Sequence, residues 1–102
     1  KGALRMSRLE GAWYSAADRL IYLVDTSSGV DAEGKIGRGD GSVWTLDPAT
    51  DRLSCVYQSA NRAAGNNFDN VAVSPRGGVL LCEDGDAYED EFGAGQRLMG
   101  LT

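Results

Sequence analysis

Short apolar stretches, broken every few residues by Asp, Asn, Gly and Pro, run along the chain, and none continues at the spacing of a helix. The pattern predicts strands at 11–15, 20–25, 42–46, 53–58, 71–74, 79–83 and 97–101. They fall into hairpins: Ala16, Ala17 and Asp18 turn the first pair, residues 47–51 the second, and Pro75, Arg76 and Gly77 the third. Leu53, Cys55 and Tyr57 alternate as a half-buried strand should, whereas residues 20–24 are apolar throughout, the profile of a strand covered on both faces. Stacked antiparallel sheets are the expected arrangement.

Moving the sequence along itself by 59 positions (69 − 10) aligns Glu10 with Asp69, Ser15 with Ser74, Leu20 with Val79 and Asp25 with Asp84 without a gap. Four strands separate one copy from the next, which is the strand count of a propeller blade. The fold class expected is therefore all-β: a fragment of a β-propeller, slightly under two four-stranded antiparallel blades. The first blade is expected at about 8–58 and most of the next at about 69–102.

In an antiparallel hairpin the start of the first strand and the end of the second share one edge, so Glu10 is expected to meet Asp25, and Asp69 to meet Asp84. Asn70 and Glu83 adjoin them. Innermost strands of neighbouring blades lie side by side around a channel, which would bring these acids to one mouth. Carboxylates crowded together repel unless a cation neutralises them, and oxygen donors in irregular number suit calcium. The candidate ligands are Glu10, Asp25, Asp69, Asn70, Glu83 and Asp84; strand alternation turns Glu83 and Asp84 to opposite faces.

Charge narrows the partners. A net charge of −5 argues against nucleic acid and anionic membranes, which require clustered Lys and Arg. Nothing approaches the ~18 apolar residues of a membrane helix. Much of the acidity lies in one run, Glu83, Asp84, Asp86, Glu89, Asp90 and Glu91, whose ordinary meaning is a solvated loop. The chain has no His, which removes self-contained Ser-His-Asp or Cys-His machinery. Cys55 and Cys82 stand alone in apolar patterns and are expected in the core. The glycine-dense segment 34–41 lacks the order of a phosphate loop and is expected to be a flexible connection. Trp13, Trp44 and Tyr57 are expected to pack.

Five segments together resemble the PhoX-type alkaline phosphatases and their relatives in the same propeller superfamily: Arg8-Leu9-Glu10-Gly11-Ala12-Trp13; Gly41-Ser42-Val43-Trp44 with Asp47-Pro48; Asp69-Asn70-Val71 running to Ser74-Pro75-Arg76-Gly77-Gly78; Cys82-Glu83-Asp84-Gly85; and Gly100-Leu101-Thr102. The resemblance implies a periplasmic or secreted phosphomonoesterase, exported through a twin-arginine signal, that holds calcium and iron and acts on small phosphate esters. It implies Glu10, Asp69, Asn70 and Glu83 as metal ligands, while Asp25 and Asp84 rest on the repeat. This chain would be a middle piece, inactive alone, needing the remaining blades and the iron-binding cysteine that they carry. Catalytic residues are not assignable from this stretch. Two rival readings share its acids: a calcium-dependent propeller of the lactonase or gluconolactonase type, and a non-enzymatic propeller in which calcium stiffens a binding platform.

Overall fold

A computed structural model describes residues 2–102 and forms nine strands, with no helix among those residues. The strands are β1 (Leu9–Ser15), β2 (Leu20–Asp25), β3 (Ser42–Asp47), β4 (Arg52–Gln58), β5 (Phe68–Val73), β6 (Val79–Glu83), β7 (Tyr88–Asp90), β8 (Gly93–Gly95) and β9 (Leu98–Leu101). They build three open antiparallel sheets, ordered β1-β2-β3-β4, β5-β6-β9 and β7-β8. The chain is all-β.

Local chemistry sets the turns. After β1 the Asp18 carboxylate accepts from the Ser15 hydroxyl and Arg19 takes a left-handed φ of 57°. After β3 the Asp47 carboxylate accepts the Ala49 amide, and after β5 the Ser74 hydroxyl accepts the Arg76 amide ahead of Gly77 at φ 90°. Asp and Ser at turn starts act in this way because a short side-chain oxygen reaches the amide two residues on.

Period-two alternation then sorts the faces. Tyr22, Val24, Val43 and Tyr57 of the first sheet pack on Val71, Val73, Val79 and Leu81 of the second, with Phe68 fully buried at their edge and Tyr57 tilted against its ring, centroids 6.0 Å apart. β5 runs beside β1 and β2, so the two leading hairpins adjoin. The opposite face of each sheet stays open. Ile21 and Leu23, expected to be covered on both sides, are therefore half-buried.

Four expectations need correction. β5 begins at Phe68, earlier than the apolar run that starts at Val71, because the pairing Phe68↔Glu83 extends the ladder through polar residues. The acidic run is not all loop: Tyr88–Asp90 pairs with Gly93–Gly95 in a small ribbon whose turn is closed by the Phe92 amide on Asp90. Cys55 and Cys82 are exposed, not buried, since both lie on open faces. The 27–41 connection, too, is built: Gly37, Gly39 and Gly41 donate their amides to Gly29, Ser27 and Ser28, and Gly39 sits so tightly on Ser28 and Gly29 that no Cβ fits there.

Candidate functional site

Both leading hairpins carry a β-bulge at the same place. In β1–β2 the register passes from Leu9↔Asp25 to Ala12↔Leu23, so Glu10 and Gly11 together face Val24. In β5–β6 it passes from Phe68↔Glu83 to Asn70↔Cys82, leaving Asp69 as the extra residue. A bulge inserts one residue, bends the strand and re-aims a side chain. Here the extra residue is an acid in both copies.

The bulges also revise the repeat. Leu9 corresponds to Phe68 at an offset of 59 (68 − 9), but Asp25 corresponds to Glu83 at 58 (83 − 25), because both are the partners of those residues. The slip arises at the turn: Tyr14↔Ile21 encloses six residues (15–20) and Val73↔Val79 only five (74–78). Glu10 therefore does not pair with Asp25, and the equivalent of Asp25 is Glu83, not Asp84.

These two carboxylates do the same work. Asp25 is 2% exposed, and its oxygens accept the amides of Ser7 and Arg8 at 2.8 and 2.7 Å. Glu83 has a fully buried side chain whose Oε1 accepts the Asn66 amide and Arg97 Nη2 at 2.9 and 2.8 Å, while Oε2 accepts the Arg97 amide and Nε, both at 3.0 Å. Each thus grips the backbone two residues ahead of its partner strand, Ser7 before Leu9 and Asn66 before Phe68. A buried carboxylate is tolerable only when so completely paired.

Arg97 repeats the logic from the other side. Its remaining donors reach the carbonyls of Arg62 and Ala63, and its guanidinium lies 4.4 Å from the centre of the Tyr88 ring. The hydrogen bond to Glu83 holds its pKa above the ordinary arginine value, against the opposing effect of burial.

Two further side chains join the hairpins. Thr26 donates its hydroxyl to the Phe68 carbonyl at 2.7 Å in a buried position. Asn67, at a left-handed φ of 54°, donates its side-chain amide to the carbonyls of Thr26 and Gly39 at 2.8 and 3.0 Å. Asn66 is 1% exposed and donates to the Asp86 carbonyl, while its Oδ1 has no hydrogen-bond partner and fills the space a side chain at Gly85 would need. Asn66 and Asn67 form an Asn pair immediately before β5, which is the sequence signal that marks them.

The clamp brings the bulges together. A Cβ placed on Gly11 would lie 2.7 Å from the Asp69 carbonyl oxygen and 2.9 Å from Asn70 Cα, so the backbones of the two bulges touch. Glycine is required by that approach. Glu10 is exposed and accepts from Arg8 Nη2 at 2.9 Å; Asp69 is half-buried, and Asn70 and Asp84 are exposed. Asp84 donates its amide to the Asn67 carbonyl at 2.9 Å, beside the start of β5. Glu10, Asp69, Asn70 and Asp84 thus belong to neighbouring backbone segments, while Asp25 and Glu83 are occupied within the frame. No three Asp, Glu or Cys side chains stand in a metal-holding group among the described residues.

Two antiparallel sheets, each led by a hairpin with an acid-bearing bulge at the same place, define an all-β protein. The family model for Alkaline phosphatase PhoX matches residues 1–102, the whole chain, and the chain belongs to that family. Among curated proteins and among solved structures nothing matches it.

Proposed function

We propose that the chain is a β-propeller segment, a four-stranded blade followed by most of a second, from a metal-dependent phosphomonoesterase. The observation that carries the reading is the contact of two acidic bulges at the starts of neighbouring strands, in a chain of the PhoX family. Glu10, Asp69, Asn70 and Asp84 offer carboxylate and amide oxygens only, a donor set that fits calcium; iron would draw its softer ligand from outside this stretch. When bound, a hard cation supplies positive charge that offsets the charge developing on the phosphoryl oxygens as they pass to water.

The chain's own residues do the positioning. Asp25 and Glu83 fix the two strand approaches, Thr26 and Asn67 fix the distance between them, and Gly11 lets the backbones meet. Arg8 pairs with Glu10 and offsets the charge of that exposed carboxylate. Function then needs oxygen ligands held by a rigid frame, and no histidine.

The test is hydrolysis of a chromogenic phosphomonoester and of a lactone by the full-length protein, before and after chelation and again with calcium restored. Phosphate release that chelation abolishes and calcium returns supports the reading. Lactone opening without phosphate release, or activity indifferent to chelator, rejects it.

A further inference from the structure

Two connections leave the edge of the fold that carries the acids. β1 and β5 start there and β2 and β4 end there, and the segments 26–41 and 59–67 that link them are joined by backbone bonds from Ser59 to Gly41 and from Asn67 to Asp40. Between the two segments lies a recess of about 560 Å³, within the ~300 to 1,000 Å³ usual for small-molecule sites. Val30, Ala32 and Ala60 make its apolar wall, and Arg38, Arg62, Asp31 and Asp40 supply its charge.

Both walls are built independently of any ligand. The first is fixed by the amides of Gly37 and Gly39 and by the Asp31 carboxylate, which accepts the amides of Glu33 and Lys35. The second is fixed by the Ser59 hydroxyl, which reaches the carbonyls of Asn61 and Gly65, and by the Tyr57 hydroxyl, which donates to the Ala64 carbonyl. The charges are unequally committed. Asp31 is occupied by those two amides, whereas Arg38 has no ion-pair partner among the described residues and Arg62 reaches only Asp86, at 3.9 Å and with both side chains largely exposed. So loose a pair contributes little, and both guanidinium groups are open to a ligand.

The recess also adjoins the bulges. The Asp40 carbonyl on its wall accepts the Asn67 amide at 2.8 Å, and Asn67 stands two residues before the bulge acid Asp69. We infer that this recess takes the leaving-group end of the substrate, and that the leaving alcohol carries a second anionic group held by Arg38 and Arg62. The inference rests on the phosphomonoesterase reading above. A guanidinium offers paired donors that match the oxygens of a carboxylate or phosphate two at a time, and the Asp40 carboxylate accepts from a hydroxyl of the same alcohol. The substrate class is therefore the phosphate ester of a hydroxylated acid.

Glucuronic acid 1-phosphate and glucose 1-phosphate differ only in the anionic group, and the full-length protein with calcium is tested on both. The wild type is expected to favour the first roughly tenfold in kcat/KM, mainly through KM, and the double variant Arg38→Gln with Arg62→Gln to lose that preference. Arg38→Lys with Arg62→Lys should keep part of it, because charge remains while the paired donors are lost. Equal kinetics on the two esters, or a preference that survives in the Gln variant, overturns the inference. Release of phosphate from neither ester defeats the phosphomonoesterase reading instead, and amide spectra of the chain with glucuronate then decide the recess alone. Shifts at Ala32, Arg38, Ala60 and Arg62 that are absent with glucose and in the Gln variant uphold it as a hydroxy-acid site; shifts elsewhere, or none, overturn it.

Discussion

Replacing Glu83 by Gln tests whether buried carboxylates hold the frame. Four donors converge on Glu83, two on each oxygen, and its side chain has no solvent exposure. Whichever way the new amide is turned, its NH2 group faces two of those donors and can accept from neither. Hydrogen bonds to a charged group contribute about 1.5 to 3 kcal/mol each, and breaking a buried ion pair costs about 3 to 5 kcal/mol, so Glu83→Gln should lose about 3 to 5 kcal/mol. Against a total of roughly 5 to 15 kcal/mol for a domain, that is a large shift in the urea midpoint. Equilibrium unfolding at a concentration low enough to keep the chain monomeric measures it. The double variant Glu83→Gln with Arg97→Met should recover part of the loss, because it also removes the guanidinium donors that the new amide cannot serve, while the amide oxygen still accepts one of the two backbone amides. A loss below about 1 kcal/mol, the value of an exposed pair such as Arg8–Glu10, would refute the reasoning.

Gly11→Ala should cost about 1 to 3 kcal/mol and part the two bulges, because the added methyl meets backbone that has no rotamer to yield; urea unfolding reads the first effect and amide shifts of Asp69 and Asn70 the second. Asn67→Ala should cost about 2 to 3 kcal/mol in the same unfolding experiment, from two lost hydrogen bonds and a left-handed backbone that Ala tolerates poorly. Tyr22 is raised above the ordinary tyrosine range by burial and by donating to Asp18, so its phenol should ionise above that range in an ultraviolet absorbance titration. A raised folded-state pKa gives stability that is complete below the unfolded value and is lost as pH climbs through the folded one. The advantage of wild type over Tyr22→Phe should accordingly shrink in strong alkali, and an advantage that grows there would contradict the assignment.

The hairpins were legible because short apolar stretches at 20–25, 53–58 and 79–83 adjoin residues of turn chemistry. The likeness of the two leading hairpins was legible to within one residue. Its final register was not, since a bulge at Glu10–Gly11 or Asp69 changes which residues pair without changing the residue pattern that announces the strand. Alternation shows neither which face is covered nor where a bulge interrupts it: Tyr57 pairs with Val43 and Cys55 with Trp44, so these two lie on opposite faces, and Cys55 and Cys82, expected inside, both lie outside. The ribbon Tyr88–Asp90/Gly93–Gly95 was hidden by acids and glycines of low strand preference. Composition gathered the acids near the starts and ends of strands. It could not separate Asp25 and Glu83 from Glu10 and Asp69, because the amides of Ser7 and Asn66 reach those carboxylates only through tertiary structure.

Paramagnetic broadening by manganese, read residue by residue in amide spectra of the chain, is the most direct test of a cation site at the joined bulges. Manganese shares the preference for carboxylate oxygen and reports even weak binding. The amides of Glu10, Gly11, Asp69 and Asn70 should broaden first, calcium should restore them, and Asp69→Asn should remove the effect. Broadening confined to Glu89–Glu91 or to the Asp47–Asp51 turn, with Glu10 and Asp69 untouched, would contradict the account.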